Sequence, residues 1–224
     1  MTPAPHTIQR VFTSKSETKS FYDKIARFYD VLADESEAPM RHKGLALLNV
    51  QPGEKVLEVG FGTGHCVVDL AKAVGPTGKV DGVDLSEGMR KVASENVQKA
   101  GLADRVELAV GDGSKLPLAD HTFDAVFMSF TLELFDTPEI PKALAECRRV
   151  LKPGGRLGVV GVSKLGEDGV VLHLYEWSHR HFPNLVDCRP IFVREEMEEA
   201  GYAIAASQTA TMWVPVEIVV GTTK

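Results

Sequence analysis

The chain is poor in cysteine and has no excess of positive charge. Its three cysteines, Cys66, Cys147 and Cys188, lie far apart and form no C-x-x-C pair, which argues against a disulfide framework and a zinc site. We therefore expect no bound metal. The formal net charge is −6, and Lys and Arg form no long run. A nucleic acid is not an expected partner, because it would require a basic surface.

Long apolar runs are missing as well. The first twenty residues contain no apolar stretch of the signal-peptide kind, and no window approaches the roughly 20 apolar residues of a membrane-spanning helix. We expect a cytoplasmic protein with at most peripheral membrane contact. Hydrophobic residues at 44% and charged residues at 25% are typical of a globular protein, and 224 residues suit one domain. The residues do not specify an oligomeric state.

From residue 55 onward, short apolar runs alternate with turn residues and helical periodicity, which indicates an α/β fold with a mostly parallel sheet. Strands are predicted near residues 55–60, 79–84, 105–110, 123–129 and 156–162, and helices near 64–74, 86–100 and 138–151. The stretch LKPGG, residues 151–155, is predicted to end the third helix, since Pro153 cannot continue it and Gly154 supplies a left-handed cap or turn.

The pattern changes after residue 191. A predicted helix near residues 192–200 is followed by two strand-like runs that are too close for a helical crossover, so these strands must be antiparallel. The prediction is a Rossmann-like, doubly wound sheet of seven strands with one reversed strand near the C-terminus. We expect residues 1–50 to form a helical segment that covers the ligand site. Residues 51–224 should form one domain, with a lid-like insertion at about 165–190.

A glycine-rich turn follows the first predicted strand, in the stretch VLEVGFGTGHCVVDLAKAV. Gly60, Gly62 and Gly64 have the spacing G-x-G-x-G, whereas a dinucleotide fingerprint needs G-x-G-x-x-G/A and His65 stands at its last position. A phosphate-binding P-loop is not present either. Glycines let a ligand approach the backbone closely, and the helix N-terminus that follows favours a small anion such as a carboxylate.

Aspartates follow the next two predicted strands. Asp84 stands twenty residues after Gly64, where a carboxylate can accept both hydroxyls of a ribose. Asp112 can accept a hydrogen bond from the exocyclic amine of adenine, while the N–H of Gly113 is available to a ring nitrogen. A carboxylate, a ribose and an adenine in one ligand describe S-adenosylmethionine.

Structural interpretations of the same residues stay open. Asp84 could be an N-cap of the next helix, with Ser86 two residues further on, and Asp112 could close an Asx-turn. Leu85 and Met89 would be core residues in most proteins. If Asp84 binds ribose, Asp84→Ala weakens S-adenosylhomocysteine binding by on the order of 1 to 3 kcal/mol with little change in folding stability.

The stretches VLEVGFGTG, VDLSEGM, GDGSKLP and FDAVFMSFTLELFDTPEIPKALAECRRVLKPGGRL resemble the class I S-adenosylmethionine-dependent methyltransferases. The resemblance is closest to the ubiquinone- and menaquinone-biosynthesis type, also called methyltransferase type 11, and it covers residues 20–165. It implies that Glu58 orients the glycine loop and the ligand ammonium, and that Gly60, Gly62 and Gly64 admit the methionine moiety.

The resemblance implies a complete set of cofactor-binding residues. Leu85 and Met89 would lie on either side of adenine, and Ser129 and Phe130 would face the ligand amino group and the sulfonium. Tyr29, in the segment FYDKIARFYD, would cover the methionine carboxylate, although it could also be part of a packing helix face. The set comprises Tyr29, Glu58, Gly60, Gly62, Gly64, Asp84, Leu85, Met89, Asp112, Gly113, Ser129 and Phe130.

The implied activity is methyl transfer to a small apolar acceptor such as a quinone-pathway ring carbon. A phenolic ring needs a flat slot and a base, for which His173 and Tyr175 in the predicted insertion are the candidates. The alternative is a phospholipid amine or another small-molecule nitrogen or oxygen. A protonated amine needs carboxylates, for which Glu133, Asp136 and Glu176 are candidates. A nicotinamide-dependent oxidoreductase and a non-catalytic S-adenosylmethionine-binding protein are the remaining alternatives.

Overall fold

The structure, a computed structural model, describes residues 8, 10, 11, 14–26, 35–165 and 189–223. The strands are β1 Lys55–Val59, β2 Lys79–Asp84, β3 Val106–Val110, β4 Phe123–Ser129, β5 Leu151–Val162, β6 Ala203–Thr211 and β7 Pro215–Thr222. The helices of the described residues are α1 Lys15–Ile25, α2 Glu35–Leu48, α3 His65–Ala73, α4 Glu87–Lys99, α5 Ile140–Val150 and α6 Val193–Glu199, and a 3₁₀ turn spans Leu132–Leu134.

The seven strands form one sheet in the order β3–β2–β1–β4–β5–β7–β6. β1 lies between β2 and β4 and is parallel to both, so the strand order reverses at β1. β7 is antiparallel to both of its neighbours, β5 and β6. The predicted α/β fold, with a doubly wound and mostly parallel sheet and one reversed strand near the C-terminus, is confirmed.

Helices cover both faces of the sheet because successive side chains of each strand point to opposite sides. Along β4, Ala125 and Phe127 belong to a core that includes residues of α2, α3 and α4. Val126 and Met128 belong to a second core that includes residues of α5 and α6. A strand buried on both faces reads as a continuous apolar run, as AVFM does here. Within the described residues, no helix combines the length and apolar character needed to cross a bilayer.

LKPGG ends the third helix as predicted, but residues 151–155 already belong to the next strand, which the sequence did not suggest. α5 ends at Val150, and β5 begins directly with Leu151. Leu151 pairs with Phe123, but the next pair joins Arg156 to Ala125, so the intervening residues of β5 form a bulge. Pro153 is tolerated in a bulge because no ladder partner requires its missing N–H group. The left-handed conformation predicted for Gly154 is present, with a φ of +74°.

α1 is attached to the rest of the molecule through polar contacts at its C-terminal end. Asp23 accepts hydrogen bonds from the Ser86 hydroxyl at 2.6 Å and from the Gly88 N–H group at 2.8 Å. Lys19 lies one turn before Asp23 and donates to it at 2.7 Å. Burial alone would raise the pKa of Asp23, but these hydrogen bonds lower it to about 2. The carboxylate therefore joins α1 to the first turn of α4.

We expect Asp23→Asn to lower the free energy of unfolding by about 1 kcal/mol near pH 7, because the hydrogen bonds are made to the ionised carboxylate. The folded-state pKa lies below the unfolded value of 3.8, so this stabilisation is present above about pH 4 and is lost as the pH falls toward about 2. Urea unfolding of both proteins at several pH values between about 2 and 7 measures the difference.

The matched control is Asp69→Asn, which removes an aspartate whose carboxylate contacts the Lys72 and His42 side chains. It should leave stability nearly unchanged, since exposed ion pairs contribute little. A constant difference between the wild type and Asp23→Asn across the whole pH range would contradict the role assigned to the Asp23 carboxylate.

Candidate functional site

A cleft opens at the carboxyl ends of the parallel strands, beside the point where the strand order reverses. Every described residue of the predicted cofactor set lines this cleft except Gly64. The lining members of the set are Glu58, Gly60, Gly62, Asp84, Leu85, Met89, Asp112, Gly113, Ser129 and Phe130. The predicted Tyr29, His173, Tyr175 and Glu176 lie outside the described residues.

The glycine loop after β1 is left-handed at three positions, with φ values of +74° at Gly60, +51° at Gly62 and +86° at Gly64. A Cβ atom added at Gly60 would lie 2.3 Å from the Thr131 side chain, and one at Gly64 would lie 2.8 Å from the Ala93 Cβ. At Gly62, such an atom would meet no described atom within 4 Å. Packing therefore requires glycine at positions 60 and 64. Gly62 has open space around it and lines the cleft.

Asp84 ties the glycine loop to the end of β2. Its Oδ2 accepts the Gly62 N–H at 2.9 Å, and its Oδ1 accepts the Ser86 N–H at 2.8 Å. The N-cap of α4 is Ser86 itself, whose hydroxyl accepts the Met89 N–H at 3.0 Å. Burial raises the pKa of Asp84, and the two backbone hydrogen bonds oppose that rise. Each carboxylate oxygen still has a second lone pair for a ribose hydroxyl.

Asp112 has partners on both carboxylate oxygens. Its Oδ1 accepts the Ser114 N–H at 2.9 Å and the Ser114 hydroxyl at 2.8 Å, so the Asx-turn considered from the sequence does form. Its Oδ2 lies 2.6 Å from the Lys15 ammonium, which also contacts Glu139 at 2.7 Å. Lys15 thus connects α1 to the loop after β3 and to the start of α5. An adenine amine at Asp112 would share the carboxylate with Lys15.

Two buried oxygen atoms of the cleft need hydrogen-bond donors. Glu58, at the end of β1, is 2% exposed, and its Oε2 has no hydrogen-bond partner among the described residues. The Oγ of Ser129, at the end of β4, is in the same situation. Buried polar atoms are nearly always hydrogen-bonded in native proteins. An ammonium group carries several donors, so this end of the cleft fits the amino group of an amino-acid ligand.

The walls of the cleft combine apolar side chains with one strained residue. Met89 is fully buried and Leu85 is half-buried, and both lie near Asp84. Phe130 is buried and has a φ of +49°, a conformation that non-glycine residues rarely adopt. Its N–H donates to the Val160 carbonyl at 2.8 Å. Such strain persists only where surrounding contacts impose it, and it is common at ligand sites.

The carboxylates that the sequence offered for an amine acceptor have structural partners. Glu133 does not line the cleft: it is fully buried, and its Oε1 accepts the Val162 N–H at 2.9 Å. Asp136 lines the cleft, but it accepts two hydrogen bonds from Arg10, at 2.7 and 2.6 Å, and one from the Val11 N–H at 3.0 Å. The hydrogen bonds from Arg10 are the main reason that the pKa of Asp136 falls to about 2.

The cleft also contains residues that the sequence did not predict, chiefly Lys15, Arg41, Thr131 and Phe135. Lys15 and Arg41 belong to helices that precede the sheet, so they are far along the chain from the other residues of the cleft. The one sequence signal for the position of Arg41 is its i, i+4 spacing from Glu37, which is typical of an ion pair on a helix. Nothing in the local sequence distinguishes Phe135 from a core residue.

The fold is a Rossmann-like α/β domain whose cleft lies at the strand-order reversal and is lined by a glycine loop and by acidic residues at successive strand ends. Residues 56–155 match the family model described as a methyltransferase domain.

Curated relatives and solved structures agree with this match. A demethylmenaquinone methyltransferase of Bacillus cytotoxicus is 39% identical over 61% of this chain and 58% of the relative. The enzyme of the same name from Listeria welshimeri is 36% identical over 68% of this chain and 65% of the relative. The matches thus span about three fifths of the length of the curated relatives.

Solved structures extend the similarity to nearly the whole chain. A SAM-dependent methyltransferase from Aquifex aeolicus is 27% identical, with a TM-score of 0.63 over 95% of this chain and 100% of its own. The [4+2]-cyclase SpnF, at 19% identity, has a TM-score of 0.74 over 96% of this chain and 98% of its own. That likeness concerns the fold alone, because one fold hosts different reactions. Residues 56–155 are thus similar to a methyltransferase domain, and the fold of the chain is that of solved S-adenosylmethionine-dependent methyltransferases.

We expect Gly64→Ala to lower the free energy of unfolding by about 2 to 4 kcal/mol, because the left-handed conformation and the short contact with Ala93 both oppose a Cβ atom. Gly101→Ala is the matched control, since Gly101 has a φ of +70° and open space around it. It should cost about 1 kcal/mol. Urea unfolding curves give both values, and equal losses would show that the Ala93 contact is not limiting.

Asp84→Ala should weaken S-adenosylhomocysteine binding by on the order of 1 to 3 kcal/mol and also destabilise the fold by about 1 to 2 kcal/mol. The second effect differs from the sequence-based expectation, because the Gly62 and Ser86 N–H groups lose their acceptor. Asp84→Asn retains one acceptor oxygen, so it should lose affinity with a smaller loss of stability. Calorimetric titration and urea unfolding measure the two quantities. Unchanged affinity in Asp84→Ala would rule out ribose binding by this residue.

Proposed function

We propose that the chain transfers a methyl group from S-adenosylmethionine to a ring carbon of a small, apolar quinone-pathway acceptor. The observation that carries the proposal is the convergence of Glu58, the glycine loop and Asp84 on one cleft at the carboxyl ends of β1 and β2. The quinone-type acceptor is supported by curated relatives that are named demethylmenaquinone methyltransferases.

When bound, S-adenosylmethionine supplies a methyl group that its sulfonium makes electrophilic. In this proposal, the Glu58 and Ser129 oxygens accept hydrogen bonds from the ligand ammonium, and Asp84 accepts the ribose hydroxyls. Leu85 and Met89 contact the two faces of adenine, and Asp112 with Gly113 contacts its edge. Gly60, Gly62 and Phe130 lie along the methionine and sulfonium. Gly64 contributes by holding the loop against α4.

The remaining contribution of the protein is alignment in a site that excludes water. Tyr22, Phe61 and Phe130 give the cleft apolar walls that can receive a flat ring. Methylation of a ring carbon replaces a C–H bond by a C–C bond, so the ring must lose a proton after attack. Ionisation of a ring hydroxyl makes the carbon nucleophilic, and we propose His173 or Tyr175 as the group that assists this ionisation.

The ion pairs of the cleft favour a neutral ring over a protonated amine. An amine would need a carboxylate that is not already compensated. Within the described residues, Asp112 and Glu139 contact Lys15, Asp136 contacts Arg10, and Glu37 lies 3.7 Å from Arg41. The other lining carboxylates, Glu58 and Asp84, are the ones proposed to bind the cofactor. The described cleft therefore provides no separate anionic cage for an acceptor amine.

The organisation of the chain follows from this function. We propose that residues 1–50 cover the cofactor, with Tyr29 over the methionine end, and that residues 51–224 form the catalytic domain. The insertion at about 165–190 would then shape the acceptor side. We also propose a cytoplasmic location, with small-molecule rather than nucleic-acid partners.

The direct test is to incubate the purified chain with S-adenosylmethionine labelled in its methyl group. The acceptor offered is a demethylmenaquinol with a short side chain, kept in its reduced form. We expect the label in the quinol fraction, with mass spectrometry placing the added methyl on a ring carbon. Phosphatidylethanolamine vesicles, offered in a parallel reaction, should stay unlabelled.

Asp84→Ala is the control variant for cofactor dependence and should lose most of the transfer at low cofactor concentration. Label in the phospholipid amine, with none in the quinol, would replace the proposed acceptor. Binding of NADH more tightly than S-adenosylhomocysteine would contradict the proposed reaction altogether.

A further inference from the structure

The largest fully buried side chain in the described part of the molecule belongs to a cation, Arg189. Burying a guanidinium is unfavourable unless its N–H groups meet acceptors and its charge meets anions. The Nη1 of Arg189 donates to the Thr137 hydroxyl at 3.2 Å, and its Nη2 donates to the Phe135 carbonyl. Burial lowers the pKa of Arg189 to about 10, and Asp136 and Glu133 are the main groups that oppose this fall. Arg189 is therefore charged at neutral pH.

Arg189 is held in place from the end of β5. Two residues later, the Ile191 N–H donates to the Val162 carbonyl at 3.0 Å, and the Ile191 carbonyl accepts the Lys164 N–H at 2.9 Å. The Val162 N–H also donates to Glu133, on the 3₁₀ turn after β4, at 2.9 Å. The end of β5 thus supports the loop after β4 twice, once through Glu133 and once through Arg189.

The other side of this loop faces the cleft, where Asp136 and Glu139 are among the lining residues. The Asp136 carboxylate accepts two hydrogen bonds from Arg10 and one from the Val11 N–H. Glu139 lies 2.7 Å from the ammonium of Lys15, the first residue of α1. The loop therefore binds the N-terminal end of α1 and the residues just before it.

The positions of the two acceptors connect Arg189 to Asp136. The Phe135 carbonyl and the Thr137 hydroxyl stand directly before and after Asp136, so a fixed guanidinium holds the chain on both sides of this residue. The Thr137 N–H also donates to the Asp136 carboxylate at 2.8 Å. Exposed ion pairs are weak because ordering two side chains costs entropy, and a carboxylate that is already held reduces this cost. The side chain of Arg10 is 54% exposed, so its pairing with Asp136 gains from that preorganisation.

We propose that Arg189 is a positioning residue that acts through Asp136. By holding the loop after β4 from the buried side, it keeps the Asp136 carboxylate directed at Arg10 and Val11, and thereby keeps α1 closed over the cleft. The C-terminal end of α1 has its own attachment through Asp23, so the loop determines how firmly the N-terminal half is held. For the ligand that the closed helix retains, the inference rests on the proposed function.

The first measurement follows proteolysis of the ligand-free protein by chymotrypsin. Phe21 and Tyr22 lie in α1, and the protease cleaves after them when the helix opens locally. We expect Arg189→Met and Arg10→Met each to speed this cleavage by about two- to fivefold, the range that corresponds to one ion pair. Mass spectrometry of the fragments separates these cuts from cuts elsewhere in the chain.

Further variants separate positioning from a loss of stability. Arg156→Met is the matched control, because Arg156 also donates to two backbone carbonyls, those of Leu48 and Asn49, but near the amino end of β4 rather than at the cleft. It should lower the urea midpoint, as Arg189→Met does, without faster cleavage in α1. Arg189→Lys retains the charge and should restore part of the protection. The double variant Arg10→Met/Arg189→Met should be cleaved about as fast as the faster single variant, because both changes break the same connection.

The second measurement is the dissociation rate of S-adenosylhomocysteine, by stopped-flow. A helix that closes over a bound ligand slows its release, so Arg189→Met and Arg10→Met should raise the dissociation rate by about the same two- to fivefold factor. The association rate should change little. Arg156→Met should leave both rates near those of the wild type.

Faster cleavage in α1 for Arg189→Met, but not for Arg156→Met, supports the positioning role. Equal cleavage in these two variants would overturn it, as would a wild-type rate in Arg189→Met or effects that multiply in the double variant. Faster cleavage with an unchanged dissociation rate would overturn the retention of the ligand by α1. A wild type that does not bind S-adenosylhomocysteine would contradict the proposed function, whereas the cleavage rates would still decide the role of Arg189.

Discussion

The position of β1 between β2 and β4 is the constraint on which the cleft depends. Right-handed crossovers place α3 and α4 on one face of the sheet and α5 on the other, so the loops after β1 and β4 turn away from each other. A crevice between these loops is unavoidable. The polar side chains that finish each strand then share one space, although they are far apart in the chain. A change that kept every side chain but altered the strand order would remove the site.

Local patterns in the sequence predicted most of this architecture, because it is built from local periodicity. The boundaries of β2 and β4 agree with the predicted ones, and Ser86 caps α4 as expected. LKPGG ends α5 as predicted, but its place in β5 was not predicted, because proline and glycine mark a turn in most contexts whereas a bulge accommodates them within a strand. Lys15 and Arg41 could not be placed in the cleft from sequence, since their positions depend on how α1 and α2 pack on the sheet.

The aspartates at the strand ends show why structural and functional interpretations need not compete. Asp84 holds two backbone N–H groups and still presents lone pairs to the cleft, and Asp112 closes a turn while facing the same space. A carboxylate has four acceptor positions, so one residue can support the loop and bind a ligand. The rigid backbone contacts keep the oxygens in place before a ligand arrives, which reduces the entropy lost on binding.

The attachment of α1 has a consequence for how a ligand enters. None of the residues Lys15–Ile25 is fully buried, and the helix is held to the cleft rim by the contacts of Lys15 and Asp23, with Arg10 binding Asp136 just before it. Exposed ion pairs are weak singly and are screened by salt, whereas the sheet beneath is held by two apolar cores. Tyr22 packs against the first core, but the remaining described contacts of α1 are polar, so its attachment depends on ionic strength more than the sheet does. Added salt should therefore loosen the attachment of α1 at the rim of the cleft before it affects the sheet.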